Sequence, residues 1–190
     1  MVYDSWEWKR ELREKKKEIL RYNTKENFDH HFDSTYFKVE RALLYSATII
    51  RILIESQKLS DDIDQYKINV SKNEPIKHID RLHRWLDEDE YNWDNTAHEK
   101  VYGKNVCNWL IHSYVFRFQF DDNGVVSGFF VSSDYDRNKA LYTISLADWI
   151  NFVDSVITDD VVELVATFDD KRSDYIYRIK KRGKRRVLKP

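Results

Sequence analysis

The chain has 190 residues and a formal net charge of −1, with 42% hydrophobic, 15% aromatic and 34% charged side chains. That is enough apolar material to fill a real interior, and four glycines and two prolines exclude a collagenous or low-complexity chain. The small net charge hides an asymmetry: residues 1–113 carry 19 basic and 21 acidic side chains, residues 114–179 carry 6 and 12, and residues 180–190 carry seven basic and none acidic.

The first half reads as helix. In "SWEWKRELREKKKEILRY", residues 5–22, Trp8, Leu12, Ile19 and Tyr22 share one face and charges cover the rest. The Lys15–Lys17 run is ringed by Glu11, Glu14 and Glu18, so it reads as a solvated helix face. Over residues 25–58, Phe28, Phe32, Tyr36, Val39, Leu43, Ser46, Ile50 and Leu53 recur at helical steps. Further apolar residues widen that stripe in the middle, which predicts a central helix surrounded by neighbours. Residues 59–72 are polar and read as a loop. A third helix is expected from Pro75, with Ile76, Ile79, Leu82 and Leu86 facing inward and "DEDE" at 87–90 ending it. A fourth is expected from Thr96, where Glu99 completes a capping box, through Gly103 to about Ser113.

The period then changes to two. "YVFRFQF" alternates Tyr114, Phe116, Phe118 and Phe120 against Val115, Arg117 and Gln119, as a half-buried strand does. "DDNG" turns the chain into "VVSGFFVSS", and "LYTIS" follows as a third strand. Ser145 and Asp148 open a helix carrying Trp149, Phe152, Val153 and Val156, and "VVELVATF" and "YIYRIKK" make a second hairpin. The expected class is α+β. It has an N-terminal helical bundle over residues 1–113, a mostly antiparallel β-rich part with one helix over residues 114–182, and a basic tail at 183–190. The two parts are expected to pack together, because no flexible linker separates them.

Few residues point to chemistry. A single cysteine, Cys107, cannot close an internal disulfide, and "MVYDSWEWKR" has no apolar signal core. No apolar run approaches the roughly 20 residues that span a bilayer, so a cytoplasmic chain without membrane contact is expected. His78 and His83 are five apart and diverge on a helix, and Asp80 with His83 would supply only two ligands, so no metal and no cofactor is expected. Glycine-rich nucleotide loops and a serine-nucleophile elbow are absent from the sequence. What stands out is "CNWLIHSY", where Asn105, Asn108 and His112 fall on one helical stripe amid apolar residues. Such a stripe needs water or a partner.

"CNWLIHSY" resembles the signature of the HEPN superfamily, an Arg often followed by a polar residue and then a His after four to six residues. Asn108 and His112 match the polar residue and the His, and Cys107 stands in place of the Arg. The resemblance covers residues 1–113 at most. It implies a helical domain contacting RNA or a nucleotide in a prokaryotic defence or toxin–antitoxin setting, often as a homodimer. For any metal-independent cleavage of RNA it implies His112 as acid/base and Asn108 as its orienting or phosphate-binding partner. Asn105, Lys104 and Arg117 would be further binding residues, the two cations standing near the missing guanidinium. The basic tail, with Lys184, Arg185 and Arg186, can attract nucleic acid by charge alone. The competing expectation is a non-catalytic protein that binds another protein through its bundle or a sheet edge.

Overall fold

The computed structural model describes residues 4–80, 82 and 85–181, which places His83 and the tail residues Lys184, Arg185 and Arg186 outside it. Helix α1 spans Ser5–Tyr22 and α2 spans Lys25–Glu55. The lysine run of α1 is engaged by acids: Lys15 pairs with Glu18 at 2.8 Å, Lys17 with Glu14 at 2.8 Å, and Lys16 reaches Asp154 at 2.6 Å. Thr24 caps α2 by accepting from the Asn27 amide, and the helix kinks at His31. Along α2, Val39, Leu43, Ala47, Ile50 and Leu53 are fully buried. They form the inner face of the main core.

A four-residue helix, α3 (Asp61–Asp64), then leads into strands β1 (Lys67–Asn73) and β2 (Ala97–Tyr102). Helix α4 (Gly103–Ile111) is followed by β3 (Ser113–Phe120), β4 (Val126–Ser133), β5 (Leu141–Ser145) and α5 (Leu146–Thr158). The strands form one antiparallel sheet in the order β2-β1-β5-β4-β3, so strands from both sides of residue 113 share a layer. The chain ends, among the described residues, in a separate hairpin of β6 (Val161–Asp169) and β7 (Asp174–Lys181). The class is α+β, with helices leading and an antiparallel sheet following.

Three local expectations are corrected. Residues 67–72 of the expected loop belong to strand β1; its Ile68 and Val70 are buried in the main core, and Asn73 is buried with its side-chain amide donating to the Asn92 carbonyl and the Thr96 hydroxyl. The described residues from Pro75 to Leu86 are not a helix: Pro75 makes an isolated bridge to Tyr91, Ile79 alone of the expected stripe is fully buried, and Ile76 and Leu82 are exposed. Residues 97–102 are strand, so the fourth helix starts at Gly103. The capping box lies instead at Asp87–Glu90, on a single 3-10 turn.

Helices α2, α4 and α5 cover one face of the sheet. Phe116, Phe118, Phe120, Phe129, Val131 and Ile144 pack there against Trp149 and Phe152. The opposite face carries a smaller cluster, in which the 74–96 connection lays Ile79 and Tyr91 on Val115 and Leu141. A register shift between Ser113 and Val115 puts Tyr114 in this second cluster, away from the three phenylalanines expected beside it. Gly103 sits where β2 turns into α4, and a Cβ there would lie under 3.0 Å from three carbons of the buried Phe152 ring.

Two substitutions check this packing. Gly103→Ala should lower stability by about 1–3 kcal/mol in chemical denaturation, because Phe152 has no room to yield. Tyr91 is buried, its hydroxyl has no hydrogen-bond partner among the described residues, and burial followed by the Glu90 charge pushes its pKa up to about 12. The folded state therefore favours the protonated phenol. That contribution is whole below the ordinary tyrosine range and is lost as pH rises from about 10 toward 12. Tyr91→Phe should be neutral or stabilising at pH 7, within about 0.5 kcal/mol or better, and should show a shallower alkaline fall in melting temperature.

Candidate functional site

Helix α4 rests on the sheet with Val106, Cys107, Trp109 and Leu110 inward. Trp109 stacks on Tyr142 of β5 at 3.7 Å between centroids and 9° between planes. That docking turns Asn105, Asn108 and His112 outward together, as their spacing requires. With Trp109, Ser133, Tyr135 and Asp136 they line a shallow cleft of about 310 Å³. His112 is the exposed C-cap of the helix, its amide bonded to the Asn108 carbonyl. The opposite wall is acidic: Asp136 accepts from the Ser133 hydroxyl at 2.7 Å.

The other named residues do not join this cleft. Cys107 is fully buried, burial pushes its thiol well above the ordinary range, and Arg51 is close enough to act against that shift. Position 107 thus faces the core, not the cleft. Lys104 lies over the Tyr102 ring at 5.7 Å. Arg117 belongs to a different groove, and the basic tail lies outside the described residues. Among the described residues no group of three or more His, Cys, Asp or Glu could hold a metal ion, and no helix is long and apolar enough to cross a membrane.

The larger concavity is an aromatic groove of about 720 Å³ along β3, the edge strand of the sheet. One wall is Phe32 and Tyr36, one turn apart on α2. The floor is Arg117–Phe120, and the other wall is Leu86, Trp93 and Phe130. The rings brace one another: Tyr36 meets Phe118 edge-on at 4.8 Å, Phe32 lies 5.8 Å from Phe120, and Trp93 meets Phe130 at 5.8 Å. Phe32 is nevertheless 50% and Trp93 39% exposed. The Phe118 amide points away from β4 and donates to the Tyr36 hydroxyl at 3.3 Å, a long bond where a neighbouring strand would offer a carbonyl. Arg117 is exposed and has no ion-pair partner among the described residues. Gln119 also lines a polar groove of about 680 Å³ on the outer sheet face, with Ser71, His98, Lys100 and Thr143.

Sequence reasoning named Arg117 but missed its surroundings. Phe32 and Tyr36 fall on the stripe expected to be core, and Trp93 lies between the expected third and fourth helices. The available signal was a tryptophan in the polar stretch "YNWDNT", where burial by local neighbours is hard to arrange. Comparison with known proteins adds no relative: no family model matches the chain, and neither a curated protein nor a solved structure matches it significantly.

The two faces of α4 make opposite demands on substitution. His112→Ala should leave stability within about 0.5 kcal/mol, since the ring is exposed and lacks a side-chain bond among the described residues. Cys107→Arg should cost about 3–5 kcal/mol, because it buries a guanidinium without a partner near Arg51. Equilibrium denaturation of the two variants checks both expectations.

Proposed function

We propose that this protein is a non-catalytic interaction module that takes an extended peptide segment of a partner protein along the free edge of β3. The observation that carries the reading is the aromatic groove itself. An edge strand with an outward-pointing backbone amide lies between two apolar walls, with Arg117, which has no ion-pair partner among the described residues, on its floor. An added strand would replace the single Tyr36 hydroxyl bond to the Phe118 amide with regular ladder bonds. Its apolar side chains would fall against Phe32 and Trp93, and an acidic residue would meet Arg117.

A second reading follows from the family resemblance: contact with RNA or a nucleotide through His112 and Asn108. One observation favours it, that Asn105, Asn108 and His112 line one cleft. Two weigh against it. The carboxylate of Asp136 faces the same space, where a phosphate would be repelled. And the position at which the family carries its Arg is core in this chain.

Selection from a random-peptide array with the full chain, followed by amide-shift mapping of the best binder, separates the two readings. The expected outcome is enrichment of peptides with alternating apolar residues and an acidic residue, with shifts confined to β3 and its flanking walls. Arg117→Glu should then weaken the selected acidic peptides by about tenfold or more and favour basic ones. Absence of any selected peptide that maps to β3, together with a salt-sensitive shift of labelled RNA that His112→Ala abolishes, would replace this reading with the second.

A further inference from the structure

We propose that one face of the β6–β7 hairpin is a self-association surface that seats the same face of a second copy of this chain. The hairpin's register sorts its residues sharply. Leu164 pairs with Ile179, Ala166 with Tyr177 and Phe168 with Tyr175, which puts six uncharged side chains on one face. The alternate pairs, Glu163 with Lys180, Val165 with Arg178, Thr167 with Ile176 and Asp169 with Asp174, place the hairpin's charges on the other face, where Lys180 reaches Glu163 at 2.9 Å.

The apolar face is largely open, although Tyr175, Tyr177 and Ile179 border a cleft of about 360 Å³ with Ile54, Leu59, Asp61 and Asp64 of the body. Leu164 is 50%, Phe168 51%, Tyr175 54% and Tyr177 39% exposed, and Ile179 alone of the six is buried. The body holds the hairpin by its edge instead: the Ile179 amide donates to Asp61 at 3.2 Å, and Lys181 pairs with Asp62 at 2.7 Å. A two-stranded ribbon wet on both faces is marginal in water, and an amphipathic one is completed by packing its apolar face on another layer.

Charge and area select a second copy as the occupant. The six side chains themselves carry no charge and Asp61 and Asp64 stand only at the β7 margin, so a two-fold mate sets apolar row on apolar row with the acids at the rim. Half-exposed side chains of this size present on the order of 100 Å² each, so a face-to-face pair would bury about 1,000 Å², near the lower bound for a specific interface. The dimer should therefore be weak and concentration-dependent. The hairpin lies apart from the β3 groove, so this inference does not rest on the peptide-binding reading.

Sedimentation velocity of the full chain tests it. Between about 1 and 200 µM the wild type should pass from monomer to dimer. Phe168→Glu should raise the dissociation constant by about 30-fold or more, and Thr167→Glu, on the opposite face, by less than about threefold. Tyr175→Ser, which removes apolar area without adding charge, is the second disrupting variant and should also weaken the dimer. All six tryptophans lie outside the hairpin, so an unchanged tryptophan-fluorescence melt certifies the body in every variant. A wild type that stays monomeric throughout the range would overturn the proposal. So would a dimer indifferent to Phe168→Glu and Tyr175→Ser, or one that Thr167→Glu disrupts equally.

Discussion

The structure depends on α2 being buried on several sides at once. Leu43, Ala47, Ile50 and Leu53 have no exposed surface, and α1, α4 and α5 all pack on this helix. Each fully buried Leu or Ile contributes about 1.5–3 kcal/mol, so this one helix supplies much of the apolar burial that offsets chain ordering. Its two buried polar groups are satisfied in place: Thr35 donates to the Asn27 carbonyl at 3.0 Å, and Ser46 bonds back to the Leu43 carbonyl and accepts from the Trp149 indole at 3.2 Å. That last bond fixes α5 against α2, and α5 in turn covers the sheet. A second polar tie closes the far end, where buried Asp159 accepts from the Ser60 amide at 2.8 Å and hydroxyl at 2.6 Å while Lys9 reaches its carbonyl. The Lys9 pKa is lowered, chiefly by burial and against the pull of Asp159 and Asp160.

Long periodic segments were legible and short irregular ones were not. Helices α1, α2 and α5, the β3–β4 hairpin and the β6–β7 hairpin carry their periods over eight or more residues, and their sequences state them directly. The stretch from residue 59 to 102 does not. In β1 only Ile68, Val70 and Asn73 are buried, and one of the three is polar, so its alternation reads as loop. From Pro75 to Leu86 the apolar spacing is helical by coincidence: Ile79 is buried while Ile76 and Leu82 face water. Tertiary contact with the outer sheet face, invisible in local spacing, decides that segment.

The candidate sites divide in the same way. The Asn105–Asn108–His112 stripe is local, set by helical spacing within one element, and the structure brings those three residues to one cleft. The aromatic groove is assembled from α2, the 74–96 connection, β3 and β4. No sequence window contains it. The hairpin face lies between these cases: its alternation was readable, but its lack of a covering layer was not.

The two edges of the main sheet argue for the peptide reading by their difference. Strand β2 ends the sheet with Ala97, His98, Glu99 and Lys100 all exposed, a charged edge of the kind that discourages an added strand. Strand β3 ends it with Phe118 and Phe120 on one side, Arg117 and Gln119 on the other, and Phe32 and Trp93 as walls. A chain that merely tolerated open edges would have no reason to treat them differently. Charging one edge while flanking the other with braced, half-exposed rings makes β3 the edge of the main sheet better suited to the proposed strand addition. The Tyr36 hydroxyl satisfies the outward Phe118 amide there through one long bond, which an incoming carbonyl can replace at little cost.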